Sequence, residues 1–312
     1  MSKLTRREWG RLALGGLAAA GARSAAARPA AAAQRRINSR FKGVLLGAQS
    51  YSFRDMSLDD MLGAMAEIGI GSCELWAGHL EPKEVIYKSW GAKDEKVRAD
   101  ARAELRRWRL ETPLSLFREA RAKFDRAGVD LYAFNYSMSD DFTDAEMEQG
   151  FRMARALGAK VMTASSNVST ARRIDAFARK YRMRVGLHNH SNNDDPNALS
   201  TPDSFARALA GRSSYININL DIGHFTAANW DALDFLRKNH RRVVTLHIKD
   251  RKRNQGDNVP FGQGDTPIKE TLALLRANRW PIPANIEYEY EGADTVTEVR
   301  RCFDYCKEAL GV

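Results

Sequence analysis

Cysteine is scarce in this chain: Cys73, Cys302 and Cys306 are the only three in 312 residues. So few thiols exclude a small fold stapled by disulfides, and a chain of this length buries enough core to need none. Cys302 and Cys306 stand at i, i+4 on an expected helix, where packing is their plain reading. Long apolar runs are also missing. The longest, Leu12–Ala22, is too short to span a bilayer comfortably, so the mature chain is expected to be soluble with no membrane span. No glycine-rich dinucleotide or phosphate-loop fingerprint follows any expected strand, so nucleotide chemistry has no support.

Basic charge is in excess, but part of the excess sits in one place. The chain carries 49 Lys and Arg against 39 Asp and Glu, a net +10. Residues 1–33 hold six of the basic groups and one acid, which leaves the remainder at +5. That remainder does not call for a nucleic-acid face. The same leading segment reads as a twin-arginine export signal. Thr5-Arg6-Arg7-Glu8-Trp9 precedes the apolar stretch, and small residues at 25–27 and 30–33 offer cleavage sites. A periplasmic or secreted mature chain over 34–312 is the expectation.

What the sequence has in abundance is alternation. Eight short apolar or β-branched runs read as strands: Val44–Ala48, Ser72–Trp76, Leu131–Asn135, Lys160–Ala164, Arg184–Asn189, Ile216–Asp221, Val243–Ile248 and Asn285–Tyr290. Helical patterns lie between them. The clearest runs from the cap Ser57 along Leu58, Met61, Leu62 and Met65 to Gly69. Others fit 114–127, 144–157, 171–182, 203–210, 230–238, 268–277 and 296–310. Eight βα units without a break in composition predict an α/β fold, a single (β/α)8 TIM barrel, over a doubly wound open sheet. Two connections are long. Residues 77–112 contain a charged helix near 93–107, and residues 251–267 are rich in Gly, Asn and Asp. Both fall on the C-terminal side of the barrel, where active sites form.

Four consecutive strands finish in metal-competent residues: His188-Asn189-His190, Asp221-Ile222-Gly223-His224, His247-Ile248-Lys249-Asp250 and Glu287-Tyr288-Glu289. Neighbouring strand ends ring one mouth, so these side chains can converge. Any one of them alone is an ordinary hydrogen-bonded residue; together they predict one divalent metal ion (Mn, Zn, Co, Fe or Mg).

These motifs, with Cys73-Glu74-Leu75-Trp76 and Gly262-Gln263-Gly264-Asp265, resemble the xylose-isomerase-like TIM-barrel superfamily of sugar phosphate isomerases and epimerases, from about Gly43 to the C-terminus. The resemblance implies His188, Asp221, His247 and Glu287 as metal ligands and His224 as a contact to substrate or metal. A histidine at 188 stands where the family carries a glutamate, as in an HNH branch of the superfamily. A symmetric exchange between two metal-bound glutamates is therefore not expected.

The chemistry that follows is removal of a proton beside a carbonyl, with the ion stabilising the resulting enediolate. Glu287, Glu74 and His190 are the candidate bases, His224 a proton donor, and Lys249 either an oxyanion partner or a rim ion pair with Asp250. Trp76, Phe225 and Tyr51 are candidate platforms for a sugar ring, and His79 is a candidate lining residue. An exported sugar isomerase or epimerase acting on a free or keto sugar is the first expectation. A 3-keto-glycoside lyase and a noncatalytic sugar-binding barrel are the alternatives. A nuclease of the endonuclease IV kind would need more His and Glu ligands on the early strands. The partner throughout is a small sugar or glycoside, with no nucleic acid.

Overall fold

The computed structural model describes residues 36–312; the expected export signal falls outside them. Eight parallel strands are hydrogen-bonded in sequence order, and the last returns to the first. They are β1 (Val44–Gln49), β2 (Ser72–Trp76), β3 (Asp130–Asn135), β4 (Val161–Ser165), β5 (Arg184–His188), β6 (Ile216–Asp221), β7 (Val243–Ile248) and β8 (Ala284–Ile286). The register Ala48↔Cys73 joins β1 to β2, and Ile286↔Ala48 joins β8 to β1, which closes a (β/α)8 barrel. A short antiparallel strand, Arg40–Phe41, pairs with the start of β1.

Each strand is followed by an outer helix. These are α1 (Leu58–Ile68), α4 (Ser115–Ala127), α5 (Asp144–Leu157), α6 (Ala171–Tyr181), α7 (Pro202–Leu209), α9 (Ala232–Asn239), α10 (Ile268–Asn278) and α11 (Thr295–Leu310). Their ends follow from local chemistry. Ser57 Oγ accepts the Asp60 N–H at the start of α1, and Gly69 leaves it in the left-handed region at φ 93°. Thr143 and Glu146 form a reciprocal capping box at the start of α5. The strand faces that point outward pack on the helices in one continuous apolar core.

The sequence-based boundaries need three corrections. The last strand ends at Ile286 rather than Tyr290. Glu287 N–H still reaches the Ile248 carbonyl, but Tyr288 N–H turns to Ser52 Oγ and the ladder stops. After β6 the chain makes a six-residue helix, α8 (Ile222–Ala227), where the sequence pattern predicts only a strand end. The expected helix at 230–238 begins at Ala232, because Trp230 N–H completes the α8 turn on the Phe225 carbonyl and Asp231 caps the new helix.

The excursion after β2 holds two helices, α2 (Lys83–Gly91) and α3 (Glu95–Glu111). A buried charge network clamps it to the barrel. Arg109 donates to both carboxylate oxygens of Glu81 at 2.7 and 2.9 Å, while Arg102 and Arg106 donate to Glu146 on α5 at 2.9 and 2.8 Å. Arg109 and Glu81 are both buried. Arg109→Ala would strand the Glu81 carboxylate and is expected to destabilise the chain by about 3–5 kcal/mol, read from urea unfolding. A loss below about 1 kcal/mol would show that the clamp is only a surface pairing.

Candidate metal centre and cavity

The mouth at the C-terminal ends of the strands is a cavity of about 400 Å³. His188 closes β5, Asp221 closes β6, His247 is the penultimate residue of β7, and Glu287 follows β8 directly. One ligand atom from each of the four lies within 4.8 Å of the other three. The convergence is tight in places: His188 Nε2 is 3.5 Å from Asp221 Oδ2, and His247 Nδ1 is 3.1 Å from Glu287 Oε2.

These four atoms are buried and none makes a well-aligned hydrogen bond, although the two carboxylate oxygens lie beside the Lys249 ammonium. An orphaned buried polar atom is costly, and four facing one point is a different matter from one stray group. The other edge of each ligand group is held. Ser165 Oγ is 3.3 Å from His188 Nδ1, and Asp221 Oδ1 accepts the His224 N–H at 2.7 Å. Asn189 brackets the Asp221 backbone, accepting its N–H at 2.9 Å and donating to its carbonyl at 3.0 Å. His247 Nε2–H donates to Glu74 at 2.9 Å. Oriented imidazoles with a carboxylate behind one of them are the usual support of a metal ligand. Two nitrogens and two oxygens suit Zn²⁺, Mn²⁺, Co²⁺ or Fe²⁺ better than Mg²⁺, which favours oxygen donors.

Lys249 is the other charge at the centre. Its Nζ is 3.1 Å from Asp221 Oδ2 and 2.8 Å from Glu287 Oε2, and it also pairs with Glu289. Burial opposes its charge, but the carboxylates of Asp221, Glu287 and Glu289 outweigh it and hold the ammonium well above its ordinary pKa. Burial likewise would raise Glu287, yet Lys249 and His247 hold its carboxyl below the usual carboxylate range. His247 is buried too, and Glu74 and Glu287 on either side favour its proton. A cation at Nδ1 would take that proton's place, so binding releases H⁺.

His224 faces the cavity between two cations: Arg251 donates to its Nδ1 at 2.7 Å, and Lys249 Nζ is 3.2 Å from Nε2. Burial first, and then Lys249, keep it neutral. His190 opens onto the cavity with Nε2 3.2 Å from Ser165 Oγ.

Four expectations from the sequence change. Glu74 does not line the cavity. It lies beneath His247, where its carboxylate accepts from Gln49 at 3.0 Å, Thr163 at 2.6 Å, Asn219 at 3.3 Å and Asn285 at 3.1 Å as well as His247, so it orients a ligand and is not placed to take a substrate proton. Phe225 is not at the mouth; it is fully buried, 4.9 Å from the Phe235 ring centre. His79 turns away, giving Nε2–H to the Ser50 carbonyl at 2.9 Å. Lys249 does not pair with Asp250, whose carboxylate instead accepts the Gly262, Gly264 and Thr266 N–H groups of the long loop after β7.

Tyr51 and Trp76 do line the cavity, joined by residues that no sequence motif marks: Trp90, Asn135, Ser137, Ser139 and Gln49. Glu289 lines it beside Glu287. Trp90 rides on α2, a helix with almost no net apolar character, and only its position in an excursion at the C-terminal face hinted at it. Among the described residues no helix is long and apolar enough to cross a membrane.

A family model described as xylose isomerase-like TIM barrel matches residues 62–308. L-ribulose-5-phosphate 3-epimerase UlaE of Salmonella paratyphi C (strain RKS4594) is 30% identical over 114 residues, which are 35% of this chain and 40% of that protein. The alignment thus spans well under half of that relative's length. Among solved structures, the apo form of 3-keto-D-glucoside 4-epimerase YcjR from E. coli aligns at a TM-score of 0.61 with 13% identity, over 85% of this chain and 99% of that one. The IolI protein, solved with a bound zinc atom, aligns at 0.59 with 14% identity, over 86% of this chain and 97% of that one. At these identities the structural likeness speaks for the fold.

Proposed function

The chain belongs to the xylose isomerase-like TIM barrel family, and from that premise we propose that it is a divalent-metal-dependent sugar isomerase or epimerase. The observation that carries the proposal is the convergence of four buried ligand atoms, from two histidines and two carboxylates, at the barrel mouth. His188, Asp221, His247 and Glu287 would hold the ion. When bound, it would supply positive charge to the carbonyl and hydroxyl oxygens of a sugar, easing loss of the proton on the carbon between them.

The chain's own groups divide the remaining work. Glu287 is kept ionised at the cavity wall and is the proton acceptor. Lys249, charged and buried, steadies negative charge on the substrate oxygen that forms as the proton leaves. Neutral His224 has Arg251 2.7 Å from Nδ1 and Lys249 3.2 Å from Nε2; it holds one proton and one lone pair between them, and from the nitrogen that keeps the proton it can give a hydrogen bond to a substrate oxygen. Tyr51 and Trp76 offer flat faces to a sugar ring and keep water from that side.

A lyase reading has one observation in its favour. The ligand set contains a histidine at 188, so no second metal-bound carboxylate faces Glu287 from β5. A one-base site suits expulsion of a β-substituent from a 3-keto-glycoside as well as return of the proton. Incubation with free sugars and 3-keto-glycosides in D₂O separates these. Chelator-sensitive deuterium incorporation without cleavage supports the isomerase or epimerase; release of an aglycone supports the lyase. Treatment with EDTA is expected to lower either rate by at least about 100-fold, and re-addition of Zn²⁺ or Mn²⁺ to restore it. Binding of sugars without proton exchange under any of these conditions would leave a noncatalytic sugar-binding barrel.

Export by the twin-arginine route is part of the same proposal, supported by Arg6-Arg7 and the apolar stretch behind them. Replacing both arginines with lysine should leave the chain in the cytoplasm on cell fractionation; unchanged export would contradict it.

A further inference from the structure

One wall of the cavity carries more aromatic surface than a single sugar ring requires. Tyr51 and Trp76 meet edge to face with ring centres 5.0 Å apart. Trp90 lies 6.2 Å from Trp76, and Tyr87 braces both at 6.3 Å from Trp76 and 6.1 Å from Trp90. Tyr51, Trp76 and Trp90 all line the same cavity as the histidine and carboxylate cluster. Trp90 and Tyr87 remain 57% and 40% exposed, although α2 is anchored near its start, Lys83 Nζ donating to the Arg54 and Met56 carbonyls at 2.9 and 2.7 Å. Large aromatic faces held in water on a fixed element, at the edge of a site, are a platform awaiting a ring.

The charge of the lining points the same way. Among the described residues, no arginine lines the cavity. Its single lysine, Lys249, is engaged by Asp221, Glu287 and Glu289. Among the described lining residues no cationic side chain is left unpaired to clamp a phosphate. The uncharged lining, Asn135, Ser137, Ser139 and Gln49, is suited to hydroxyl groups.

On the reading of this site as a sugar site, we infer that Trp90, braced by Tyr87 and by the edge of Trp76, forms a second subsite for an uncharged ring joined to the sugar that reacts. The substrate class is a glycoside of two rings, the second being another sugar or a planar aglycone, and the described lining, whose one lysine is already paired, favours an uncharged sugar over a sugar phosphate. Both kinds of second ring share one chemistry, an apolar face laid on an indole. Trp90 is a specificity-determining residue in this scheme and takes no part in proton transfer.

Calorimetric titration of the metal-loaded full-length protein tests this without reliance on turnover. The probes are methyl glucoside, 4-nitrophenyl glucoside, the disaccharide maltose and glucose 6-phosphate. Either or both two-ring probes are expected to bind about tenfold more tightly than methyl glucoside, the aryl or the sugar arm showing which second ring is preferred. Trp90→Ala should remove that advantage and leave methyl glucoside affinity within about twofold; Trp90→Phe, which keeps a flat face, should retain part of it. Because Trp90 is exposed, the alanine variant is expected to fold, and its unfolding curve serves as the control. A two-ring advantage indifferent to Trp90→Ala, or tighter binding of glucose 6-phosphate than of methyl glucoside, would overturn the subsite alone. Failure of all four probes to bind would overturn the sugar reading and the subsite with it.

Discussion

Glu287→Gln is expected to lower the rate of substrate deuterium exchange by about 10²–10⁴-fold, the usual worth of a positioned acid or base. The residue stands in two roles, and the variant has to be read for both. Its Oε2 is one of the four converging atoms and also the carboxylate oxygen nearest to Lys249, at 2.8 Å. Glutamine keeps the shape and one ligating oxygen but cannot accept a proton as a carboxylate does. Metal content measured beside the rate separates the roles. A lost rate with metal retained assigns proton transfer to Glu287; loss of both assigns it chiefly to holding the ion. Exchange above about one-tenth of the wild-type rate would remove Glu287 from the mechanism.

Glu74 should behave in a different way, because it works from below the site. Five side chains donate to its buried carboxylate, and one of them is the ligand His247. Glu74→Ala leaves those donors unanswered and removes the charge behind the imidazole. Loss of about 3–5 kcal/mol of folding stability is expected, by analogy with breaking any buried ion pair. Metal affinity should fall about 10–100-fold, as for other carboxylates that orient a histidine ligand. Glu74→Gln should lie between wild type and the alanine variant in both measurements. If instead Glu74→Gln abolished exchange with stability and metal content unchanged, Glu74 would be a proton-transfer group after all.

The reason Glu74 was open to misreading is visible in the strand period. Glu74 and Trp76 share a face of β2, two residues apart, so one lies about 6–7 Å deeper than the other. The sequence identifies the face but not the layer. Phe225 is the helical counterpart. It follows His224 directly, and in an extended strand end or loop both can approach the mouth. Within α8 consecutive side chains point about 100° apart, so His224 looks into the cavity while Phe225 packs toward Phe235. A six-residue helix leaves almost no periodic trace, and it was the element that decided the residue's fate.

The barrel itself was legible because strand and helix periods alternate eight times, and β2, β6 and β7 begin and end where the sequence placed them. The convergence of His188, Asp221, His247 and Glu287 was legible for a related reason: parallel barrel strands bring their last residues to one end, so neighbours in strand order become neighbours in space. The contribution of α2 was not. Its aromatics sit in an excursion whose docking depends on Arg109, Glu81 and Glu146, groups separated by up to 65 residues along the chain. No local pattern announces such a clamp.

Everything mechanistic depends on the four ligand atoms holding one cation, and elemental analysis of the purified chain tests it most directly. One divalent transition-metal ion per chain is expected after dialysis in Zn²⁺ or Mn²⁺, falling to near zero in Asp221→Ala and in His247→Ala while both variants remain folded. A wild-type chain that retains no such ion, or variants that retain it as well as wild type does, would contradict the account.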